Sequence, residues 1–211
     1  MKGFAIAGIG TDVGKTVVSA IVTEALEGYY FKPIQAGDLD NSDSIKVRRW
    51  CSEKVTVGEE RYRLNEPMAP HKAAELDGIQ LKLSDIELPK TEQPFILEGA
   101  GGVLVPLNEK GETILDIYKK SKFPVIIVSR HYLGSINHTL LTIRVLQAEN
   151  LPIAGIIYVG DESAHTEEII EQLTKVKSLG RVPIAQEVNS AFIQQQANEF
   201  KHLVYELNGQ R

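Results

Sequence analysis

Short, wholly apolar runs alternating with amphipathic segments set the rhythm of this chain. Phe4 to Ala7 is apolar and gives way to glycines, after which Val17, Val18, Ile21, Val22 and Leu26 recur at helical spacing. That order predicts strand, loop, helix. Tyr29 to Ile34 follows Gly28 and closes near Gly37, which suits a second buried strand even with Pro33 close to its exit. Phe95-Ile96-Leu97 is a third, ending at Glu98 and followed by Gly99-Ala100-Gly101-Gly102. Pro124 to Ser129 and Ile153 to Val159 read as two more, while 113–121 and 135–149 carry helical periodicity. Short strands apolar on both sides, alternating with helices, predict an α/β fold with a parallel sheet covered on both faces. Residues 35–93 are less regular, with a polar turn from Asp38 to Ser44, a helix around 45–50 and a loop from Pro67 to Pro70. Near the C-terminus, Ile193, Ala197, Phe200, Val204 and Leu207 form an apolar stripe. A membrane-surface helix would collect cations on the opposite face, whereas Lys201 is mixed with Glu199 and Glu206, so packing on the domain's own core is expected.

Composition narrows the class. A length of 211 residues with 43% hydrophobic content fits one domain over 1–211. With 23 Lys and Arg against 28 Asp and Glu, the net charge of -5 offers nucleic acid no attractive field. Cys51 is the single cysteine, so an internal disulfide and a cysteine-ligated zinc site are both excluded, and a partly buried bystander is expected. The glycine-rich segment starts within eight residues of Met1, leaving no room for a signal peptide, and no apolar run approaches membrane-spanning length. A cytoplasmic protein with no membrane partner is the expectation.

The chemistry begins at Gly8-Ile9-Gly10-Thr11-Asp12-Val13-Gly14-Lys15-Thr16, between predicted strand and helix. Glycines let the backbone curl so that N–H groups and the helix dipole point at phosphate oxygens. Lys15 would reach the β- and γ-phosphates of a nucleoside triphosphate, and the Thr16 hydroxyl would ligate Mg2+. The general motif needs its first glycine at position 9, where this chain has Ile9, with Gly8 one place early. Magnesium takes oxygen ligands, so carboxylates at strand ends are sought next. Glu98 and Asp43 are the candidates. Glu98 could instead be a solvated strand terminus, and Asp43 suits the N-cap of the helix that follows it. Lys32, in an otherwise apolar strand, must snorkel outward or meet an anion near the strand end, and its position favours the anion.

In order and spacing, Thr11 to Thr16, Lys32-Pro33, Asn41-Ser42-Asp43, Glu66-Pro67 with Pro70-His71, Glu98 to Gly102 with Pro106-Leu107, and Gly134 to His138 resemble the dethiobiotin synthetase family. The offset glycine is similar to that family's own. The resemblance extends to Gly180-Arg181-Val182-Pro183 and implies a P-loop NTPase fold with a mostly parallel, seven-stranded sheet. It also implies a homodimer with active sites at the subunit interface. Its reaction would join 7,8-diaminononanoate and carbon dioxide at the expense of ATP: one amine captures carbon dioxide as a carbamate, the carbamate takes the γ-phosphoryl group, and the second amine closes a ureido ring. On this resemblance Lys15, Lys32 and Thr11 are catalytic, and Asp12, Val13, Gly14, Lys15, Thr16, Val17, Val159 and Pro183 bind nucleotide. Thr16, Asp43 and Glu98 surround Mg2+, and Thr11, Lys32, Gly134, Ser135 and Asn137 contact the diamine, the last three from the neighbouring subunit. Read locally, Ser135 is a helix cap, a role compatible with holding a carboxylate.

Two departures stand out. Where the family commonly has Lys-Pro-x-x-Ser-Gly, this chain has Ala36 before Gly37; and where an asparagine often reads adenine, Val159-Gly160-Asp161 follows the strand. Asp161 could accept from a guanine edge or be a solvated turn carboxylate, so the base is open. The competing class is that of related P-loop switch ATPases, which act by binding partners. They typically carry a second lysine where this chain has Gly10.

Overall fold

The computed structural model describes residues 1–204. Its elements in chain order are β1 (Gly3–Gly8), α1 (Lys15–Leu26), β2 (Tyr29–Phe31), β3 (Ile34–Ala36), α2 (Asp43–Trp50), β4 (Thr56–Val57), β5 (Tyr62–Leu64) and α3 (Pro70–Leu76), followed by β6 (Phe95–Gly102), α4 (Ile114–Ser121), β7 (Val125–Arg130), α5 (Ser135–Ala148), β8 (Ile153–Val159), α6 (Ala164–Thr174), β9 (Ser178–Val182) and α7 (Ser190–Glu199). Seven strands form one sheet in the order β4-β2-β6-β1-β7-β8-β9, every pairing parallel. All six residues of β1 are buried because helices cover both faces. From β1 the chain moves through α1 to β2; from β6 it returns through α4 to β7, across β1. Right-handed crossovers in opposite directions put their helices on opposite faces and leave a crevice at the carboxyl ends of β1 and β6.

Three expectations change. The strand expected from Tyr29 to Ile34 is two: β2 stops at Phe31, and β3 pairs with β5 in a separate two-stranded sheet. Pro33 has no N–H for a ladder, and its carbonyl turns to Tyr62 N–H at 3.0 Å. Lys32 therefore sits at a break. Glu98 does not end its strand: β6 continues to Gly102, and Glu98 lies opposite Ile6, fully buried. In the C-terminal stripe, α7 ends at Glu199; Ile193, Ala197 and Phe200 are buried on the core as expected, Val204 is exposed, and Glu206 and Leu207 lie outside the described residues. Cys51 is half-buried with Sγ toward Ala20 O, and burial, reinforced by Glu24, pushes its thiol up to about 12.

Close packing at one glycine holds the crevice floor. The β1–β6 register slips between Ile6 and Gly8, and there the buried Tyr118 of α4 donates to Ile6 O at 3.0 Å. To reach it, Tyr118 passes under Gly99, where a Cβ would lie 1.9 Å from its hydroxyl oxygen and 3.0 Å from Ile114 Cγ2. Gly99→Ala is therefore expected to cost about 1–3 kcal/mol by overpacking. Tyr118→Phe alone should cost about 1 kcal/mol for its hydrogen bond. Urea unfolding of the double variant should give less than the sum of the two, because losing the Tyr118 hydroxyl removes the atom that the added methyl strikes; strict additivity would contradict the packing account.

Candidate active site

The loop between β1 and α1 takes its shape from its own contacts. Asp12 (φ 56°) and Gly14 (φ 96°) are left-handed, and Gly14 is the N-cap of α1. A Cβ on Gly8 would lie 2.9 Å from Gly10 O, Lys15 Cδ and Val13 Cγ2, so the early glycine is the one over which the Lys15 stem crosses. Lys15 Nζ folds back to Gly10 O at 2.8 Å. Burial, then the Lys32 charge, lower Lys15 to about 8 against the opposing pull of Glu98, Asp43 and Asp12. A polyanion at this loop would supply the counter-charge that the buried ammonium lacks.

Beneath the loop, Glu98 is the hub. Its Oε1 accepts from Thr16 Oγ1 at 3.0 Å and Lys32 Nζ at 3.0 Å, and its Oε2 accepts from Tyr30 Oη at 2.9 Å. Lys32 also reaches Asp43 Oδ2 at 2.5 Å. Burial alone would lower Lys32, but Glu98 and Asp43 outweigh it and hold the ammonium above its ordinary value. Asp43 is likewise pushed up by burial and then held below the usual carboxylate range by Lys32, Lys46 and Thr16. The N-cap of α2 is Ser42, whose Oγ accepts from Ile45 N–H, so the capping role considered for Asp43 belongs to its neighbour. Asp43 starts the helix with its carboxylate turned to Lys32.

Sequence reasoning missed two members. Tyr30 lies on a fully buried strand, where a phenol needs a partner; that need was the available signal. Gln35 is buried on β3, its Oε1 accepting from Asp43 N–H at 3.3 Å and its Nε2 donating to Gly37 O at 2.8 Å. A glutamine between apolar neighbours carried a similar signal.

Above this cluster opens a cavity of about 820 Å³. Thr11, Asp12, Gly14, Lys15, Thr16, Val17, Lys32 and Asp43 line it, with Ile34, Ala36, Trp50, Pro67, Met68 and Val105 as an apolar wall. Glu98 lies sealed below, and Val13 is buried under the loop. Val159 packs its methyls 3.3 Å from where a Gly14 Cβ would be, and Pro183 is exposed just past β9. Gly134, Ser135 and Asn137 do not line this chain's cavity. Gly134 (φ 103°), not Ser135, is the N-cap of α5; Ser135 is buried and its carbonyl accepts from Thr139 Oγ1, while Asn137 is exposed. The Thr16 hydroxyl and the Asp43 and Glu98 carboxylates, joined now through Lys32 Nζ and the Thr16–Glu98 hydrogen bond, are hard oxygen donors of the kind Mg2+ takes. Among the described residues no larger cluster of His, Cys, Asp and Glu suits a metal, and no helix is long and apolar enough to cross a membrane.

A family model described as an AAA domain matches residues 2–191. The ATP-dependent dethiobiotin synthetase BioD of Christiangramia forsetii is 50% identical over 207 residues, covering 98% of this chain and 99% of that protein. The protein of the same name from Novosphingobium aromaticivorans is 45% identical, covering 87% and 89%. The chain belongs to the dethiobiotin synthetase family. Among solved structures, a plasmid partition protein from Borrelia burgdorferi (TM-score 0.59, 10% identity, 97% of this chain and 99% of that one) and the cell division ATPase MinD of Pyrococcus furiosus (TM-score 0.56, 15% identity, 96% and 100%) share the P-loop fold with this family member, and at such identities the fold alone.

The Glu98 hub is open to a direct test. Tyr30→Phe leaves one oxygen of a buried carboxylate without its donor, so unfolding free energy should fall by about 1–3 kcal/mol in a urea titration. No loss would mean that the Tyr30 hydrogen bond does not support the site.

Proposed function

We propose that this chain is an ATP-dependent dethiobiotin synthetase that converts 7,8-diaminononanoate and carbon dioxide to dethiobiotin, with ADP and phosphate released. The observation that carries the reading is the convergence of two buried lysines, Lys15 and Lys32, with Thr16, Asp43 and Glu98 beside a cavity that has one apolar wall. Phosphoryl transfer needs positioning and charge neutralisation more than covalent assistance. Loop N–H groups and Lys15 would hold the triphosphate. Lys32, at the break after β2, would face the carbamate oxygen that attacks the γ-phosphorus, with Thr11 and Asp12 beside the reacting groups. Mg2+, held by Thr16, Asp43 and Glu98, would neutralise charge on the phosphate oxygens. Because Lys32 now bridges both carboxylates, it would have to give up part of that bridge when the cation is bound.

The alkyl chain of the diamine suits the wall of Ile34, Trp50, Pro67 and Met68, and Ala36 offers no hydroxyl where relatives commonly have serine. Its carboxylate end would meet Gly134, Ser135 and Asn137 of a second copy. Supporting a homodimer, Tyr132, Leu133, Ile136 and Leu141 stand exposed around the start of α5, with Leu133 wholly open to solvent. Val13, Val17, Val159 and Pro183 would flank the nucleotide. The cytoplasmic location expected from the sequence belongs to the same reading. A switch ATPase acting by partner binding has no observation of its own here, since Gly10 replaces that class's second lysine.

Phosphate release should depend on both diaminononanoate and bicarbonate; ATP hydrolysis that ignores the diamine and answers only to DNA or lipid would overturn the reading. Lys15→Ala and Lys32→Gln should each lower kcat by about 100-fold or more while far-UV circular dichroism stays native, since each removes a positioned charge at the transferring phosphoryl group. Full turnover by the Lys32 variant would remove it from the catalytic set.

A further inference from the structure

The turn after β8 is held by a brace that the reaction chemistry does not use. On β9, Arg181 lies opposite Tyr158 in the strand register. Its Nη1 donates to Asp161 O at 3.0 Å and to Gly160 O at 3.5 Å, and its Nη2 donates to Glu167 Oε1. The same carboxylate oxygen accepts from Ser163 N–H at 3.2 Å, closing the start of α6, and pairs with His131 Nε2 at 2.9 Å just past β7. Tyr158 is flanked by the His131 ring at 5.3 Å between centroids and by the Arg181 guanidinium at 5.9 Å. Gly160, itself left-handed at φ 106°, is tied a second time through its N–H to Val182 O at 2.9 Å. One guanidinium and one carboxylate thus join β7, β9, α6 and the 160–163 turn.

The other side of that turn faces the phosphate loop. Val159 methyls sit against Gly14, the N-cap of α1, so the turn packs directly on the phosphate loop. The brace also holds the backbone of the turn. The carbonyls of Gly160 and Asp161 are engaged by Arg181 and the Gly160 N–H by Val182, which fixes the backbone of the turn and leaves the exposed Asp161 carboxylate at its tip.

We propose that Arg181, locked by Glu167, is a positioning residue that presets the 159–161 turn as the base-side wall of the nucleotide site, so that it governs affinity for the nucleoside part of the triphosphate and not for the phosphates. A preordered wall spares the ligand the cost of ordering the turn itself. The proposal rests on the ATP-dependent reading above, and calorimetry with ATP, GTP, CTP and inorganic tripolyphosphate as probes separates the two. The unmodified protein should bind ATP more tightly than tripolyphosphate. If it bound the two equally, or neither, the nucleotide reading itself would fail.

In Arg181→Met, which keeps the apolar stem, ATP binding should weaken about tenfold while tripolyphosphate binding stays within about twofold, and preferences among the three bases should flatten. In diamine-dependent turnover the KM for ATP should rise and kcat should hold. Glu167→Gln, which keeps the shape of the partner and removes its charge, should move ATP affinity the same way by a smaller factor. Equal weakening of ATP and tripolyphosphate would reduce Arg181 to a general support of the fold. An unchanged ATP affinity in a folded Arg181→Met protein would remove it from nucleotide binding altogether.

Discussion

Everything in the site hangs on a buried ammonium, Lys32, shared by two carboxylates. Glu98 has no exposure at all, and a carboxylate in that position would be costly unless paired and hydrogen-bonded. Lys32, Thr16 and Tyr30 satisfy it from three different elements, so the helix that follows the phosphate loop, the strand beside it and the break after β2 are located relative to one oxygen pair. Asp43 joins through the same ammonium and brings the start of α2 to the cavity rim. Removing either member leaves an uncompensated charge, which makes the cluster a constraint on geometry more than a source of net stability.

Such a cluster can be assembled only because the sheet permits it. β6 must run beside β1 closely enough for Glu98 to lie opposite Ile6, and the glycine after it makes room for Tyr118 to secure the slipped register. Pro33 has the complementary effect on the other side. By ending β2 it frees Lys32 from the ladder, and the chain starts a second small sheet whose Gln35 holds the backbone of Asp43. The crevice at the reversal of strand order is general to such sheets; a lysine break on one flank and a buried glutamate on the other make this one chemical.

Much of this was legible in the sequence. The parallel α/β sheet and the loop follow from apolar runs and glycines, and Lys32 stands out as a charge in an apolar strand; its grouping with Asp43 and Glu98 follows from the family resemblance and from the oxygen ligands that Mg2+ takes. What failed to read has physical causes. Glu98 looked like a strand end because apolarity stops there, yet hydrogen-bond pairing in β6 continues through glycines that carry no hydropathy signal. The Tyr29–Ile34 run looked continuous because hydropathy is blind to the missing N–H of Pro33. Ser42 and Asp43 are both good caps, and only the pull of Lys32 decides between them. Tyr30 and Gln35 are each conspicuous as buried polar groups, but the partner of Tyr30 lies 68 residues away on another strand, which no local pattern encodes, and Gly134, Ser135 and Asn137 do not line this chain's cavity.

The cluster at the phosphate loop and the 159–161 turn packed beside that loop are built on opposite principles. At the phosphate end the groups are charged side chains in mutual contact, so altering one perturbs all the others. At the 159–161 turn Val159 presents only methyls to Gly14, the Gly160 and Asp161 carbonyls and the Gly160 N–H are engaged by Arg181 and Val182, and Asp161 is exposed at the tip. Substitutions there meet no buried charge, but Val159 is buried against Gly14 and Gly160 is left-handed, so only the exposed Asp161 side chain can change without cost in packing or backbone strain. The turn therefore constrains its residues through packing and backbone conformation, whereas the cluster of Thr16, Lys32, Asp43 and Glu98 constrains its own through charge.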